Sequence, residues 1–190
     1  MLGLRGDTSQ PTSTNGKVFF TEGGLNYVCS GTALLSGNKS VVWTAGHCVN
    51  DGAGTFVTNW AFVPAYADGS APYGTWTARR LLTTSGWTFN YPRQQTYVSH
   101  GYPAAPPFNG ERLYTCTSPL QYDDTSANPP TMGIDCDMTG GSSGGGWTVH
   151  GSLESVNSYG YTTLPNVMFG PYQGTVSQSL YTQASSGYEP

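Results

Sequence analysis

The chain has 190 residues, a formal net charge of −4 and only 9% charged residues, where a soluble domain ordinarily carries about 25%. Gly and Pro make up about a fifth of it, against roughly an eighth in average usage, and aromatic residues account for 13%. This composition excludes a disordered chain, which is charge-rich and aromatic-poor, and a helix bundle, whose helix interiors Gly and Pro damage.

Taken in order, residues 1–16 are polar and rich in Gly, Ser, Thr and Pro, and read as a loose arm. Residues 17–20 and 26–35 read as strands around the turn signal Glu22-Gly23-Gly24. Further strands are predicted over 40–44, 55–63 and 75–84, with a Gly/Pro/Ala-rich connection at 64–74. Beyond Trp87 the pattern becomes irregular. Short strands are predicted over 94–99 and 112–117, loops over 101–110 and 118–130, and one or two strands over 147–157. The single modest helical stretch is 176–184. Strands of this length and spacing predict an all-β fold of sandwich or barrel type. No apolar run approaches the roughly 18 residues of a membrane span. The seven Lys and Arg are scattered and form no basic stripe for nucleic acid. Neither a membrane nor a nucleic acid is an expected partner.

The four cysteines, Cys29, Cys48, Cys116 and Cys136, contain no C-x-x-C pair, which argues against a zinc or thioredoxin-like site. They allow three connectivities. The favoured one joins Cys29 to Cys48 and Cys116 to Cys136, each closing a short loop worth about 3 kcal/mol in the chain-entropy model. Disulfides imply an oxidising compartment; the competing reading is four buried thiols in a cytosolic protein. Residues 1–7 carry no basic segment followed by an apolar one. A secreted, extracellular location therefore expects an export signal outside this chain.

Two segments carry chemistry. In Ser40-Val41-Val42-Trp43-Thr44-Ala45-Gly46-His47-Cys48 a β run ends in small residues, a His and a Cys. A His held rigidly there suits a general base, because its pKa lies near working pH. A lone His is more often structural, and His100 and His150, with no motif around them, are read that way. In Asp135-Cys136-Asp137-Met138-Thr139-Gly140-Gly141-Ser142-Ser143-Gly144-Gly145-Gly146-Trp147 the glycines leave space around Ser143. The N–H groups of Gly141 and Ser143 suit an oxyanion hole. A flexible linker has similar composition, but a linker is not bracketed by a Cys and a Trp with strands on both sides.

Thr44-Ala45-Gly46-His47-Cys48 resembles the T-A-A/G-H-C histidine motif of chymotrypsin-like (trypsin-like) serine peptidases, and Gly141-Ser142-Ser143-Gly144-Gly145 resembles their G-x-S-G-G nucleophile motif. The flanking text, including Cys29-Ser30-Gly31-Thr32-Ala33 and Ser155-Val156-Asn157-Ser158-Tyr159-Gly160, is similar to small secreted microbial members. The resemblance spans about residues 17–182. It implies two six-stranded antiparallel β-barrels, here residues 17–88 with the His and 89–190 with the Ser, and a short C-terminal helix. It implies His47 as general base, Ser143 as nucleophile, and Gly141 with Ser143 as oxyanion hole. Ser155, Val156 and Asn157 would pair with the substrate backbone. Asp137, six residues before Ser143, would sit at the base of the specificity pocket and favour Arg or Lys before the scissile bond. Thr139 stands where the trypsin pattern has a Cys, so the pocket walls are built differently. The expected partner is a protein or peptide substrate, the expected state a monomer, and no cofactor or metal is expected.

The resemblance also demands an Asp between the His and the Ser, heading an apolar strand, to orient the imidazole. Asp51 and Asp68 lie in turn sequences, Glu111 at a loop exit, Asp123 and Asp124 in a polar stretch, and Asp135 and Asp137 beside the serine loop. None heads an apolar strand. The expectation is a deletion near Thr88 that removes the Asp-bearing strand and leaves the first barrel incomplete. The alternative function is a catalytically dead homologue acting as a binding module. An unrelated aromatic-rich sandwich would leave both motifs as coincidence.

Overall fold

The computed structural model describes residues 2–4, 12–83 and 92–186. A first sheet is built from β2 (Asn15–Glu22), β3 (Leu25–Leu34), β4 (Val41–Trp43), β5 (Thr58–Pro64) and β6 (Trp76–Thr77), in the order β4-β3-β2-β5-β6. Its central hairpin turns at Gly23 and Gly24, with φ of 57° and 82°, a region that favours glycine. The register sets Val18 opposite Cys29 and Phe20 opposite Tyr27. Residues directly opposite share a face, and Val18, Phe20 and Cys29 enter a core with Trp43, Trp60 and Phe62.

The second sheet has eight strands. β7 (Thr96–Gly101), β8 (Leu113–Asp124), β9 (Thr131–Asp135), β10 (Gly146–Val149), β11 (Ser152–Val156), β12 (Tyr159–Tyr161) and β13 (Leu164–Pro171) run in the order β11-β10-β7-β8-β9-β13-β12, and β1 (Leu2–Leu4) adds to β8. The sheet curls far enough for the Ser155 hydroxyl on β11 to donate to the Pro171 carbonyl on β13 at 2.5 Å. Tyr97, Met132, Ile134 and Trp147 fill its interior. Both sheets are antiparallel and curled, the double half-barrel of a chymotrypsin-like fold.

Several sequence expectations change. The predicted loop over 118–130 is largely strand. β8 alternates its buried positions at Cys116, Ser118 and Leu120, and a register shift between Leu120 and Tyr122 hands it from β7 to β9. β9, β12 and β13 were not expected. The predicted strand over 75–84 reduces, among the described residues, to the two residues of β6. The first sheet therefore has five described strands rather than six, and its ends, β4 and β6, are short edges. The arm is not loose throughout, since Leu2–Leu4 pairs with β8. The proposed deletion point near Thr88 falls in 84–91, outside the described residues.

The helix α1 (Thr175–Ser186) crosses back to the first sheet, where Leu180, Tyr181 and Ala184 pack on its core. Asn38 Nδ2 donates to the Ala184 carbonyl at 2.8 Å. Between the sheets, buried Lys17 lies between the rings of Phe19 and Tyr66 and pairs with Glu111 at 3.2 Å.

Candidate active site

His47 lies in a single 3-10 turn, Gly46–Cys48, directly after β4. Cys48 is fully buried and bonded to Cys29 on β3, so the residue beside His47 is tied covalently to the sheet. A ring nitrogen of His47 lies within 4.8 Å of both sulfurs. The second disulfide joins Cys116 on β8 to Cys136, just past β9. Both bonds follow the favoured connectivity. The His47 side chain is solvent-accessible, yet enough protein stands around it for desolvation to lower its pKa below the usual imidazole value, partly opposed by the charge of Glu22.

Ser143 is half-buried on the loop between β9 and β10. The two residues that follow it must be glycine. At Gly144, with φ of 84°, a Cβ would lie 2.0 Å from Thr44 Oγ1 and 2.3 Å from the Ser30 carbonyl; at Gly145 it would lie 1.9 Å from the His100 carbonyl. The serine loop is thus pressed against the strand end that leads to His47. Ser30 N–H donates to the Ser143 carbonyl at 2.7 Å, Ser30 Oγ donates to the Gly141 carbonyl at 2.9 Å, and the Thr44 hydroxyl donates to the Ser30 carbonyl at 2.7 Å. Cys48 Sγ is 3.7 Å from the Ser143 carbonyl. The fold therefore brings the two motifs to one junction. Ser143 Oγ points to the Ser158 carbonyl at 3.5 Å and makes no hydrogen bond to His47. Such bonds are often long without substrate and tighten in the reacting complex.

The amides of residues 141–145 sort into two groups. Ser142, Gly144 and Gly145 donate to Thr139, Asn157 and Ser142 carbonyls. Gly141 and Ser143 N–H find no acceptor among the described residues. Those two are the pair expected to form the oxyanion hole.

Asp137 is exposed on the same loop, beside the buried Met138. Ser155, Val156 and Asn157 are not a free edge. All three are buried, Ser155 and Val156 pair with Trp147 and Gly146, and both main-chain groups of Asn157 bond to the serine loop. The main-chain group nearest Ser143 Oγ is one residue further on, at Ser158. Two contributors escaped the sequence reading, Ser158 and Ser30. Ser30 follows the bridging Cys29, but its partner Gly141 on the serine loop is 111 residues away along the chain, and no local pattern announces it.

No carboxylate among the described residues hydrogen-bonds to His47. Five of the candidate acids have other partners. Asp51 accepts from Ala53 and Thr55 amides, Asp68 pairs with Arg112, Asp123 pairs with Arg93, and Glu111 holds Lys17 and Tyr66. Asp124 is buried and accepts from Ser126, Tyr159 and Tyr161. His100 is also buried, with its ring 3.4 Å from the Gly146 carbonyl, and burial lowers its pKa.

The fold is that of chymotrypsin-like serine proteases. Among solved structures the chain is similar to the thermostable serine protease AL20 from an extremophilic microorganism, at 40% identity and TM-score 0.84 over 93% of this chain and 99% of that one. It is likewise similar to the protease Anisep from Arthrobacter nicotinovorans, at 44% identity and TM-score 0.83 over 94% and 98%. A Glu endopeptidase, at 18% identity and TM-score 0.73 over 95% and 94%, shares the fold. No protein-family model and no curated protein sequence matches the chain. At these identities over nearly the whole of both chains, the protein belongs to the chymotrypsin-like serine peptidase family.

Proposed function

We propose that the protein is an extracellular serine endopeptidase with Ser143 as nucleophile and His47 as general base. Ser143 Oγ attacks the scissile carbonyl carbon while His47 takes its proton. The tetrahedral oxyanion is held by the Gly141 and Ser143 N–H groups. Collapse breaks the C–N bond, His47 returns the proton to the leaving amine, and water then hydrolyses the acyl-enzyme. The observation that carries this reading is that the Gly141 and Ser143 N–H groups have no acceptor among the described residues, while the Ser142, Gly144 and Gly145 amides interleaved with them and following them are bonded. The two disulfides fit an oxidising compartment. The exposed carboxylate of Asp137 would attract Lys or Arg before the scissile bond. Peptides with Asp or Glu at that position cleaved as fast as those with Arg would remove that role.

One observation favours a second reading. His47 has no carboxylate partner among the described residues, and loss of a triad Asp costs about 10⁴ in kcat even with geometry kept. A binding module descended from a peptidase would look like this. A fluorophosphonate probe separates the two. The peptidase reading expects labelling of the folded wild type and none of Ser143→Ala. An unlabelled, folded wild type would leave the binding module.

A further inference from the structure

Asn157 is fully buried, and its side-chain amide is satisfied at both ends. Oδ1 accepts from Ser99 Oγ at 2.7 Å and from Trp147 Nε1 at 2.6 Å. Nδ2 donates to the His100 carbonyl at 3.0 Å and the Ser142 carbonyl at 3.2 Å, with Met138 Sδ at 3.8 Å. Chemistry fixes this orientation. Trp Nε1 can only donate and the carbonyls can only accept, so a flipped amide would face donor to donor and acceptor to acceptor. The main chain repeats the link, with Asn157 N–H donating to the Gly145 carbonyl and the Asn157 carbonyl accepting from Gly144 N–H, both at 2.8 Å.

The Ser142 carbonyl is the telling partner. It belongs to the same planar trans peptide as the Ser143 N–H, and in such a peptide the two point in opposite directions. The carbonyl is held from inside by Asn157 Nδ2 at 3.2 Å and Gly145 N–H at 3.0 Å. The Ser143 N–H is therefore turned outward, where it has no protein acceptor. We infer that Asn157 is a positioning residue: its buried amide anchors the Ser142–Ser143 peptide and so aims the Ser143 N–H at a substrate oxyanion, without touching substrate. The inference rests on the reading of Ser143 N–H as an oxyanion donor. It assigns Asn157 a different part from the substrate contact that its sequence neighbourhood implies.

Asn157→Asp tests it, because the added oxygen faces the two carbonyls that Nδ2 held. Two readouts apply. One is the ¹H–¹⁵N shift of the Ser143 amide, with hydrogen exchange at Gly144 and Gly145; it needs no activity. The other compares a peptidyl boronate, which builds a tetrahedral adduct in the oxyanion hole, with the corresponding product peptide, which does not. We expect a displaced Ser143 amide, faster exchange, and boronate affinity down about 100-fold with product-peptide affinity nearly unchanged. An unmoved Ser143 amide, or equal weakening of both ligands, would overturn the inference. A wild type that binds no boronate would defeat the peptidase reading, and the amide shift would then decide the inference alone. Should Asn157→Asp not fold, Ser99→Ala removes one of the two donors to Oδ1; it should weaken boronate about fivefold, and no change in either readout overturns the inference.

Discussion

Around Ser143, the N–H groups of Ser142, Gly144 and Gly145 and the carbonyls of Gly141, Ser142 and Ser143 are all hydrogen-bonded, and the Gly141 and Ser143 N–H groups have no acceptor among the described residues. Around His47 there is a disulfide, a short turn and an accessible ring with no carboxylate bound to it among the described residues. The sheets differ in the same sense. Among the described residues the serine side has eight strands and curls back on itself, and the histidine side has five and ends in two short edges. The contrast teaches that the two halves of the candidate site are built to different completeness. The Ser143 loop depends on its own main-chain packing, whereas a carboxylate for the proposed base would have to come from elsewhere in the chain.

The largest expected effect tests the serine side. Gly145→Ala places a methyl 1.9 Å from the His100 carbonyl, backbone against backbone. It should cost more than about 3 kcal/mol and abolish fluorophosphonate labelling, checked by thermal unfolding and gel fluorescence. A variant as stable and as reactive as wild type would show that the loop is not close-packed.

The disulfides come next. Removing either, as Cys29→Ser with Cys48→Ser or Cys116→Ser with Cys136→Ser, should cost about 3 kcal/mol in denaturant titrations, since the loops are alike in length. Their effect on Ser143 labelling should differ. The first pair flanks His47 and should slow it; the second should leave the rate of the folded fraction nearly unchanged.

His47→Ala sharpens the comparison further. If no carboxylate beyond the described residues orients it, the imidazole should already act well below its potential, so the substitution should slow labelling by about 10²-fold rather than the roughly 10⁶ of a complete triad. A loss of 10⁴ or more would reveal a carboxylate supplied from residues 84–91 or another undescribed segment.

Two pH effects are smaller. Desolvation lowers the His47 pKa, so the base stays neutral, and labelling persists, to lower pH than an ordinary imidazole allows. Glu22 opposes that shift, so Glu22→Gln should move the acidic limb of the labelling profile to still lower pH; a move upward would reverse the electrostatic argument. His100 is held neutral in the fold while the unfolded chain protonates near 6.5. Folding stability should therefore fall as pH drops below about 6.5, and His100→Gln should flatten that slope in unfolding titrations.

Asp124→Asn should have the smallest effect. Hydrogen bonds from Ser126, Tyr161 and Tyr159 hold its carboxyl well below the usual range. The stabilisation is present above the unfolded value of about 3.8 and lost as pH falls below it, so the variant should be modestly less stable at neutral pH and converge with wild type in acid.

The chemistry-bearing segments were legible because each packs its information into a few adjacent residues. Thr44–Cys48 and Gly141–Gly145 need small residues, a His, a Ser and glycines at fixed steps, and the sequence shows them directly. β9 and β13 were not legible. Gly133 sits in β9 because Phe169 and Tyr122 fill the space of a side chain, and Gly170 in β13 because the Val156 carbonyl and Ser155 hydroxyl crowd it. In sequence these glycines, with Pro165 and Pro171, read as turn signals.

By itself, then, the sequence determined the all-β class and the His and Ser motifs, which are properties of short stretches, and it favoured the disulfide pairing that the structure shows. Only the tertiary structure decided that Ser30 joins the two halves, that the Ser158 carbonyl rather than Ser155–Asn157 faces the Ser143 hydroxyl, and that Asn157 is turned inward to hold the serine loop. Each of those depends on hydrogen bonds between residues far apart in the chain, which no local pattern encodes.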